Sequence, residues 1–452
     1  KIDYIESISN NISINIIDDH DLGPAYSVLK IDNIPKNEEI IICYCDFYVN
    51  WNYKKFKRDV YGLDGAIPCF KGFHPASFGN TYYAYINVDK KNNFLELREK
   101  QSFTKNRSDE PASVGIYYFK NFSLFSKFAN ILHKELHIGK ERYISLLFNL
   151  MFNAKLKIKI TYVDKFICLG TPQDLKYFKY WYNYFCLSKK NNYNYIFNQL
   201  NLIPMSGKGD RFKRNAYRIS KPMIPVQGKP MVIKSGKSLP NSKRWVFLVR
   251  SDDYIKFNLK TLLESNFNNI KIIKVKKDTS GQLSTCMLAS DYFKKDEPLF
   301  IASADYETQF SELKLQNMIK NNSIDGIIWT YKLKNLIVNN FNAFAYCKIS
   351  NKGNVSEIIE KKTISKNPGN DNMAIGSFWF RRTEDFIDCA NYAFKNKLKL
   401  NNEYFVGNSI NYLIKHKNKN FKIFEVDKWI SFGNPFELDI FLYWQEVFYN
   451  NS

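Results

Sequence analysis

The stretch that decides the fold runs Asn201-Leu202-Ile203-Pro204-Met205-Ser206-Gly207-Lys208-Gly209-Asp210-Arg211-Phe212. After a short spacer it continues Lys221-Pro222-Met223-Ile224-Pro225-Val226-Gln227-Gly228-Lys229-Pro230-Met231. A short apolar run, Leu202 to Met205, feeds a turn with two glycines, Gly207 and Gly209. Glycine lets main-chain N–H groups approach a phosphate closely. Arg211 follows at once, and Lys221 stands just before a proline. An arginine fork and a lysine point charge can together neutralise a polyphosphate. The segment reads as a cradle for a nucleoside triphosphate.

Other phosphate loops fit less well. A Walker A loop needs a glycine where Met231 stands ahead of Gly236-Lys237-Ser238. A dinucleotide fingerprint needs a third glycine where Phe212 stands. The full string instead resembles the signature of the sugar-phosphate nucleotidyltransferases, the NDP-sugar pyrophosphorylase family. That pattern runs strand, G-x-G-x-R-F, spacer, K-P-x-x-P-V-x-G-K-P-M.

Composition sets outer bounds. A chain of 452 residues has room for two or more domains. The net charge of +22 would suit nucleic acid, an acidic membrane surface or anionic small substrates. The lysines are scattered, as in Lys54-Lys55-Phe56-Lys57, and no arginine-rich or RNP-type motif accompanies them. The excess therefore reads as compositional bias, and nucleic acid is not an expected partner. No stretch approaches the length of an apolar membrane span. The eight cysteines form no C-x-x-C, and most sit in apolar runs. They are expected to be buried thiols of a reducing compartment, hence of a cytoplasmic protein.

Self-similarity changes the domain reading. Asp164-Lys165-Phe166-Ile167-Cys168-Leu169-Gly170-Thr171-Pro172 matches Asp427-Lys428-Trp429-Ile430-Ser431-Phe432-Gly433-Asn434-Pro435. Glu141 pairs with Glu403, Gly115 with Gly376, Glu99-Lys100 with Glu360-Lys361, Asp46 with Asp305, and Gly23 with Gly281. The spacing between partners drifts by only a few residues, as two copies with small indels require. The expectation is an α/β protein of two tandem Rossmann-like domains, 1–198 and 199–452, each a mostly parallel mixed sheet flanked by helices. The second copy holds the phosphate loop. The first is expected to lack that segment because, with no Met at position 1, the chain is expected to lack its true N-terminus. A genuinely degenerate first domain is the competing reading. In the second copy, Trp245 to Val249, Ile270 to Val275, Leu299 to Ala302 and Ile327 to Tyr331 read as strands. Helical stretches at 283–293 and 313–320 lie between them. Ligands of such sheets sit beyond the carboxyl ends of the strands.

The resemblance implies a reaction and assigns roles. A sugar-phosphate oxygen attacks the α-phosphorus of an NTP and pyrophosphate leaves, for surface or capsular polysaccharide synthesis. Arg211 and Lys221 would hold the triphosphate and the departing pyrophosphate, while Ser206, Gly207 and Gly209 line the nucleotide. Asp305 ends the apolar run from Pro298 to Ala304 and matches the family's Mg²⁺-binding aspartate, with Asp46 as its first-copy counterpart. A helix N-cap is the other reading of Asp305. Thr279-Ser280-Gly281-Gln282 resembles the base-reading loop, in which Gln282 pairs with a nucleobase edge. The first copy has Gly23-Pro24 there. Glu360, Lys361 and Gly376 match the sugar-phosphate site, and Glu99, Lys100 and Gly115 repeat them. One departure stands out. Several family members carry a second aspartate two residues before the glycine of the W-x-x-x-G stretch, where this chain has Ser431, and Cys168 in the first copy.

Two patterns imitate other sites. His133 and His137 are spaced like zinc ligands, but the zincin motif needs Glu where Lys134 stands. Ser251-Asp252-Asp253 follows a strand and suggests a helix start more than a metal-binding D-x-D. Three rival functions remain open: a cytidylyltransferase for phosphocholine or glycerol phosphate, a non-catalytic nucleotide-sugar-binding regulator, and a basic nucleic-acid binder. An oligomer is compatible with all of them.

Overall fold

The computed structural model describes residues 12–78, 83–135, 141–187, 193–334 and 336–449. The chain divides into two compact units, Lys1–Phe178 and Lys179–Ser452. The division falls before the expected 198/199 boundary because the segment after 178 packs with the second unit. Tyr180 donates its hydroxyl to the Trp429 carbonyl at 3.1 Å, and Tyr184 donates to Glu307 at 2.6 Å.

Unit 1 contains β1 (Ile40–Cys43), β2 (Phe47–Asn50), β3 (Gly65–Phe70), β4 (Ala84–Val88), β5 (Phe94–Glu99), β6 (Ala112–Ser113), β7 (Ile116–Phe119), β8 (Ile158–Tyr162) and β9 (Lys165–Cys168). Its main sheet runs β1-β7-β3-β6-β4-β5, with β8 beside β3. Among the described residues only β3 and β8 pair in parallel; the other pairs are antiparallel. The expectation of a mostly parallel sheet is therefore corrected for this unit.

Unit 2 adds β10 (Phe197–Pro204), β11 (Pro225–Val226), β12 (Lys229–Pro230), β13 (Ser242–Arg250), β14 (Ile270–Val275), β15 (Leu299–Ile301), β16 (Tyr306–Gln309), β17 (Gly326–Tyr331), β18 (Ala345–Ile349), β19 (Val355–Glu360), β20 (Met373–Phe380), β21 (Phe421–Glu425) and β22 (Lys428–Ser431). Its sheet runs β14-β13-β10-β15-β20-β17-β21, with β18 and β19 attached at β20. The four strands from β14 to β15 are parallel to one another. They are short apolar runs joined by helices such as Gln282–Met287, and they bury Leu202, Val246, Leu248, Leu299 and Ile301 almost completely. Burial on both faces is what parallel strands require.

Several strand pairings follow the same pattern in the two units. The antiparallel β1·β7 and β3·β7 and the parallel β3·β8 of unit 1 have the pattern of β15·β20, β17·β20 and β17·β21. The hairpin β4·β5 corresponds to β18·β19, and the outlying pair β2·β9 to β16·β22. Side chains repeat too. Asn149 accepts from the Leu97 amide and donates to its carbonyl, both at 2.9 Å, as Asn411 does with Ile358 at 2.8 and 2.9 Å. Lys100 and Lys361 hold left-handed φ of 57° and 56°. What unit 1 does not match among the described residues is the β10-β13-β14 group, which carries most of the parallel pairing. That is why its sheet is antiparallel.

Four cysteines, Cys69, Cys286, Cys347 and Cys389, are buried, whereas Cys43, Cys45 and Cys186 are exposed and Cys168 is half-buried. Burial of most thiols is thus corrected to half. All eight are free. No helix among the described residues is long and apolar enough to cross a membrane.

A glycine locks the loop before helix Gln282–Met287. Gly281 has φ +99°, and a Cβ there would meet the Tyr404 carbonyl and amide at 2.7 and 2.8 Å. The Tyr404 amide donates to Ser280, and Leu283 donates to Tyr404. These are backbone atoms and cannot step aside. Gly281→Ala is expected to cost about 2–3 kcal/mol of stability, read as a lower urea midpoint by tryptophan fluorescence. An unchanged midpoint would mean that this loop is not locked.

Candidate active site

The phosphate-loop segment leaves the carboxyl end of β10. Met205 donates its amide to Leu248 on β13, so the chain turns where two parallel strands end. Gly209 takes φ +67° and opens the short helix Asp210–Arg214. A Cβ on Gly209 would lie 3.3 Å from the Lys221 Cβ, so a bare backbone is what lets Lys221 close against the loop. Phe212 is buried beneath, and the Lys221 ammonium lies 5.6 Å over its ring centroid.

Lys221 is the pivot. Its Nζ donates to Asp305 Oδ2 at 2.6 Å and to the Gly433 carbonyl at 2.9 Å. The two side chains keep 20% and 30% of their surface exposed, so the pair is shielded but still reachable. Asp305 lies between β15 and β16, not at a helix N-cap, and its carbonyl receives the Phe432 amide at 2.8 Å.

These groups line a cleft of about 720 Å³. It collects Ser206, Gly207, Gly209, Arg211, Lys221, Gln282 and Asp305. Among the described residues the Arg211 guanidinium has no ion-pair or hydrogen-bond partner, which leaves its donors directed to the cleft or solvent. Lys208 and Arg250 both grip Asp278 at 2.9 Å, tying the phosphate loop and β13 to the 276–281 loop. Gln282 donates to Ser303 Oγ at 3.4 Å.

Glu360, Lys361 and Gly376 are not on that lining but stand beside it. Lys361 Nζ is 5.7 Å from the ring centroid of Phe405, which lines the cleft. Burial holds the Lys361 ammonium below its ordinary value; Glu360 opposes this shift and the Arg211 charge adds to it. Burial pushes the Glu360 carboxyl up to about 7, with Lys361 drawing it partly back. A Cβ on Gly376 (φ +83°) would stand 3.5 Å from Ser303 Oγ.

In unit 1, Asp46 lies against Gly170, as Asp305 does against Gly433. Glu99 accepts from Ser145 Oγ, and burial raises its carboxyl. Lys100 donates to the Tyr143 hydroxyl at 2.5 Å. His133 stacks on Tyr26 at 5.1 Å, and His137 lies outside the described residues. Ser251 opens the helix Ser251–Lys256.

The sequence did not single out Ser303, Phe405 or Glu437. Glu437 Oε2 accepts from Ser431 Oγ at 2.5 Å, and burial raises its carboxyl above the ordinary value. No group of three or more His, Cys, Asp or Glu is arranged to hold a metal among the described residues. A divalent cation would rest on one or two carboxylates, substrate phosphates and water, a common mode for Mg²⁺. The oxygens present suit it: a Cβ on Gly433 would find Glu437 Oε2 and Ser431 Oγ at 3.2 Å and Asp305 Oδ2 at 3.6 Å, a cradle of hard donors.

No curated protein matches the chain. Solved structures do. A nucleoside-diphosphate-sugar pyrophosphorylase from Vibrio cholerae RC9 is 20% identical, with 54% of this chain and 99% of that one covered and a TM-score of 0.44. An inositol-1-phosphate CTP transferase from T. maritima is 13% identical over 56% and 98%, with a TM-score of 0.42. A putative glucose-1-phosphate thymidylyltransferase from Bacillus anthracis is 16% identical over 54% and 93%, with a TM-score of 0.41. The nucleotidyl transferase family model matches residues 200–444, which contain the loop, the cleft and β22. On that match the chain belongs to the nucleotidyl transferase family.

Proposed function

We propose that unit 2 transfers a nucleotidyl group from an NTP to a phosphorylated sugar or similarly small phosphate, releasing pyrophosphate. The observation that carries this is the Lys221–Asp305 contact inside a cleft that also gathers Gly207, Gly209 and Arg211. An acceptor phosphate oxygen forms a bond to the α-phosphorus, and the bond from the α-phosphorus to its bridging oxygen breaks. The electron pair leaves with pyrophosphate. No side chain needs to form a covalent bond; the protein aligns the two oxygens and absorbs charge. Lys221 and Arg211 receive the charge that builds on the leaving phosphates, and the amides of the 206–209 turn face the nucleotide. Gln282 is suited to read a base edge. A bound Mg²⁺ would be held by Asp305 and would supply further charge neutralisation between the phosphates.

Glu360 and Lys361 are proposed to hold the acceptor, the first through hydroxyls and the second through phosphate. Unit 1 is proposed to be a second copy of the fold that does not carry the turnover. The repeated strand pairings and the Asn149 and Asn411 clamps support the copy. The phosphate loop of unit 2 has no counterpart among the described residues of unit 1.

Pyrophosphate release across the common NTPs and a panel of sugar 1-phosphates tests the reading. Lys221→Ala and Asp305→Ala are each expected to lower kcat by about 10²–10³-fold, while Asp46→Ala leaves it unchanged. Near wild-type turnover in the first two would refute the site. Release with phosphocholine or glycerol phosphate alone would move the acceptor to the non-sugar class.

Glu360 gives a pH signature. Its folded-state carboxyl titrates near 7 against an ordinary 4.5, so the folded chain binds more proton than the unfolded one between those values. Stability should therefore fall as pH rises through that window. Glu360→Gln is expected to remove on the order of 1–3 kcal/mol of that fall, measured by urea unfolding at pH 5 and pH 7. Equal slopes in both proteins would mean that Glu360 is not held protonated.

A further inference from the structure

We propose that Glu437 supplies the second carboxylate of the divalent-cation site, at the place where Ser431 carries none. The inference rests on the nucleotidyl-transfer reading and concerns how this chain completes the site. Three oxygens converge on Gly433: Glu437 Oε2 and Ser431 Oγ at 3.2 Å from where its Cβ would be, and Asp305 Oδ2 at 3.6 Å. The serine hydroxyl donates to Glu437 and accepts from the Gly433 amide at 3.1 Å. Ser431 thus aims a carboxylate from the following helix toward the position that its own side chain cannot charge.

Both carboxylates have coordination capacity to spare. Asp305 Oδ2 takes the Lys221 ammonium and Glu437 Oε2 takes the Ser431 hydroxyl. Among the described residues no hydrogen-bond donor reaches Asp305 Oδ1 or Glu437 Oε1.

The helix start explains why Glu437 is free to do this. An acid at this position ordinarily serves the first turn of its helix. In unit 1 it does so: Asp174 Oδ2 accepts from the Thr171 amide at 3.1 Å, from the Thr171 hydroxyl at 2.7 Å and from Cys168 Sγ at 3.7 Å. In unit 2, Asn434 stands in place of the threonine, and its Oδ1 accepts the Glu437 amide at 3.0 Å. The acid's own amide is capped in both units, by Thr171 Oγ1 at 3.1 Å for Asp174 and by Asn434 for Glu437. The difference is that Thr171 also donates to the Asp174 carboxylate, whereas Asn434 does not donate to Glu437, whose carboxylate is left with Ser431. The same six-residue spacing therefore yields an acid tied back to its own helix start in one unit and an acid held by Ser431 in the other.

The test is Mn²⁺ binding to the full chain in the presence of inorganic pyrophosphate, followed by the EPR signal of free Mn²⁺. Glu437→Gln and Asp305→Asn are each expected to weaken Mn²⁺ binding by about tenfold or more. Adding Ser431→Asp to Glu437→Gln should restore affinity, because it returns a carboxylate to the other side of the same cradle. Circular dichroism checks that each variant is folded, and the double variant decides the matter if Glu437→Gln alone does not fold. Wild-type Mn²⁺ binding in Glu437→Gln alongside loss in Asp305→Asn would overturn the role of Glu437 and leave the transferase reading standing. A folded double variant that binds no better than Glu437→Gln would overturn it as well. Undiminished binding in Asp305→Asn would instead remove the cation site on which both readings depend.

Discussion

One ammonium group joins three distant parts of the second unit. Lys221 belongs to the turn after the phosphate loop, Asp305 to the connection after β15, and Gly433 to the bend between β22 and the helix Pro435–Tyr449. Each partner alone would be a charge or dipole half out of water, and removing one side of such a pair costs more than the pair contributes. The contact therefore fixes where these segments meet. In the proposed transfer, an ammonium already held beside a carboxylate would need little reorganisation when a triphosphate arrives, and preset charge is the largest lever such a reaction offers. The rest of the unit serves that point: parallel strands end there, Gly209 lets the loop close on it, and buried Phe212 supports it from below.

The parts read from sequence are those fixed by local rules. Gly209 adopts a left-handed φ, Pro222 sits just after the lysine it positions, and the strands at 245–249, 270–275, 299–302 and 327–331 are short apolar runs between turns. Strand direction was not legible. An apolar run says that a strand is buried, whereas its direction depends on the length and path of its connection. The hairpin β18·β19 and the strand β20 turn the sheet antiparallel on one side, and unit 1 consists largely of that side. The cysteines were read from apolar neighbours, yet Cys43 ends an edge strand whose preceding isoleucines are only half-buried, and Cys45 lies exposed in the turn beyond it.

The site residues divide along the same line. Gly207, Gly209, Arg211, Lys221, Gln282 and Asp305 lie on the cleft because each follows a strand end or opens a helix, positions that the sequence marks. Glu437 was invisible because its partner is set by a turn. Six residues separate it from Ser431, and only the bend at Gly433 brings the two within hydrogen-bond reach. Phe405 and Ser303 were hidden for the same reason, being brought to the cleft from a loop and from beside Gly376.

The strand pairings that recur in the two units allow their acids to be compared. Both units keep an acid after the first strand of the shared sheet, a glycine that packs on it, and an acid six residues after a non-carboxylate at the end of the last strand. In unit 1 the glycine's Cβ position is 2.7 Å from Asp46 Oδ2 and 3.8 Å from a thiol, a soft and weakly polar neighbour. In unit 2 it faces a hydroxyl and two carboxylates, all hard oxygens. A hard cation prefers the second set. On the proposed reading of the site, Cys168 against Ser431 and Thr171 against Asn434 are the exchanges that distinguish the two turns, within the same antiparallel pairing of β2·β9 and β16·β22.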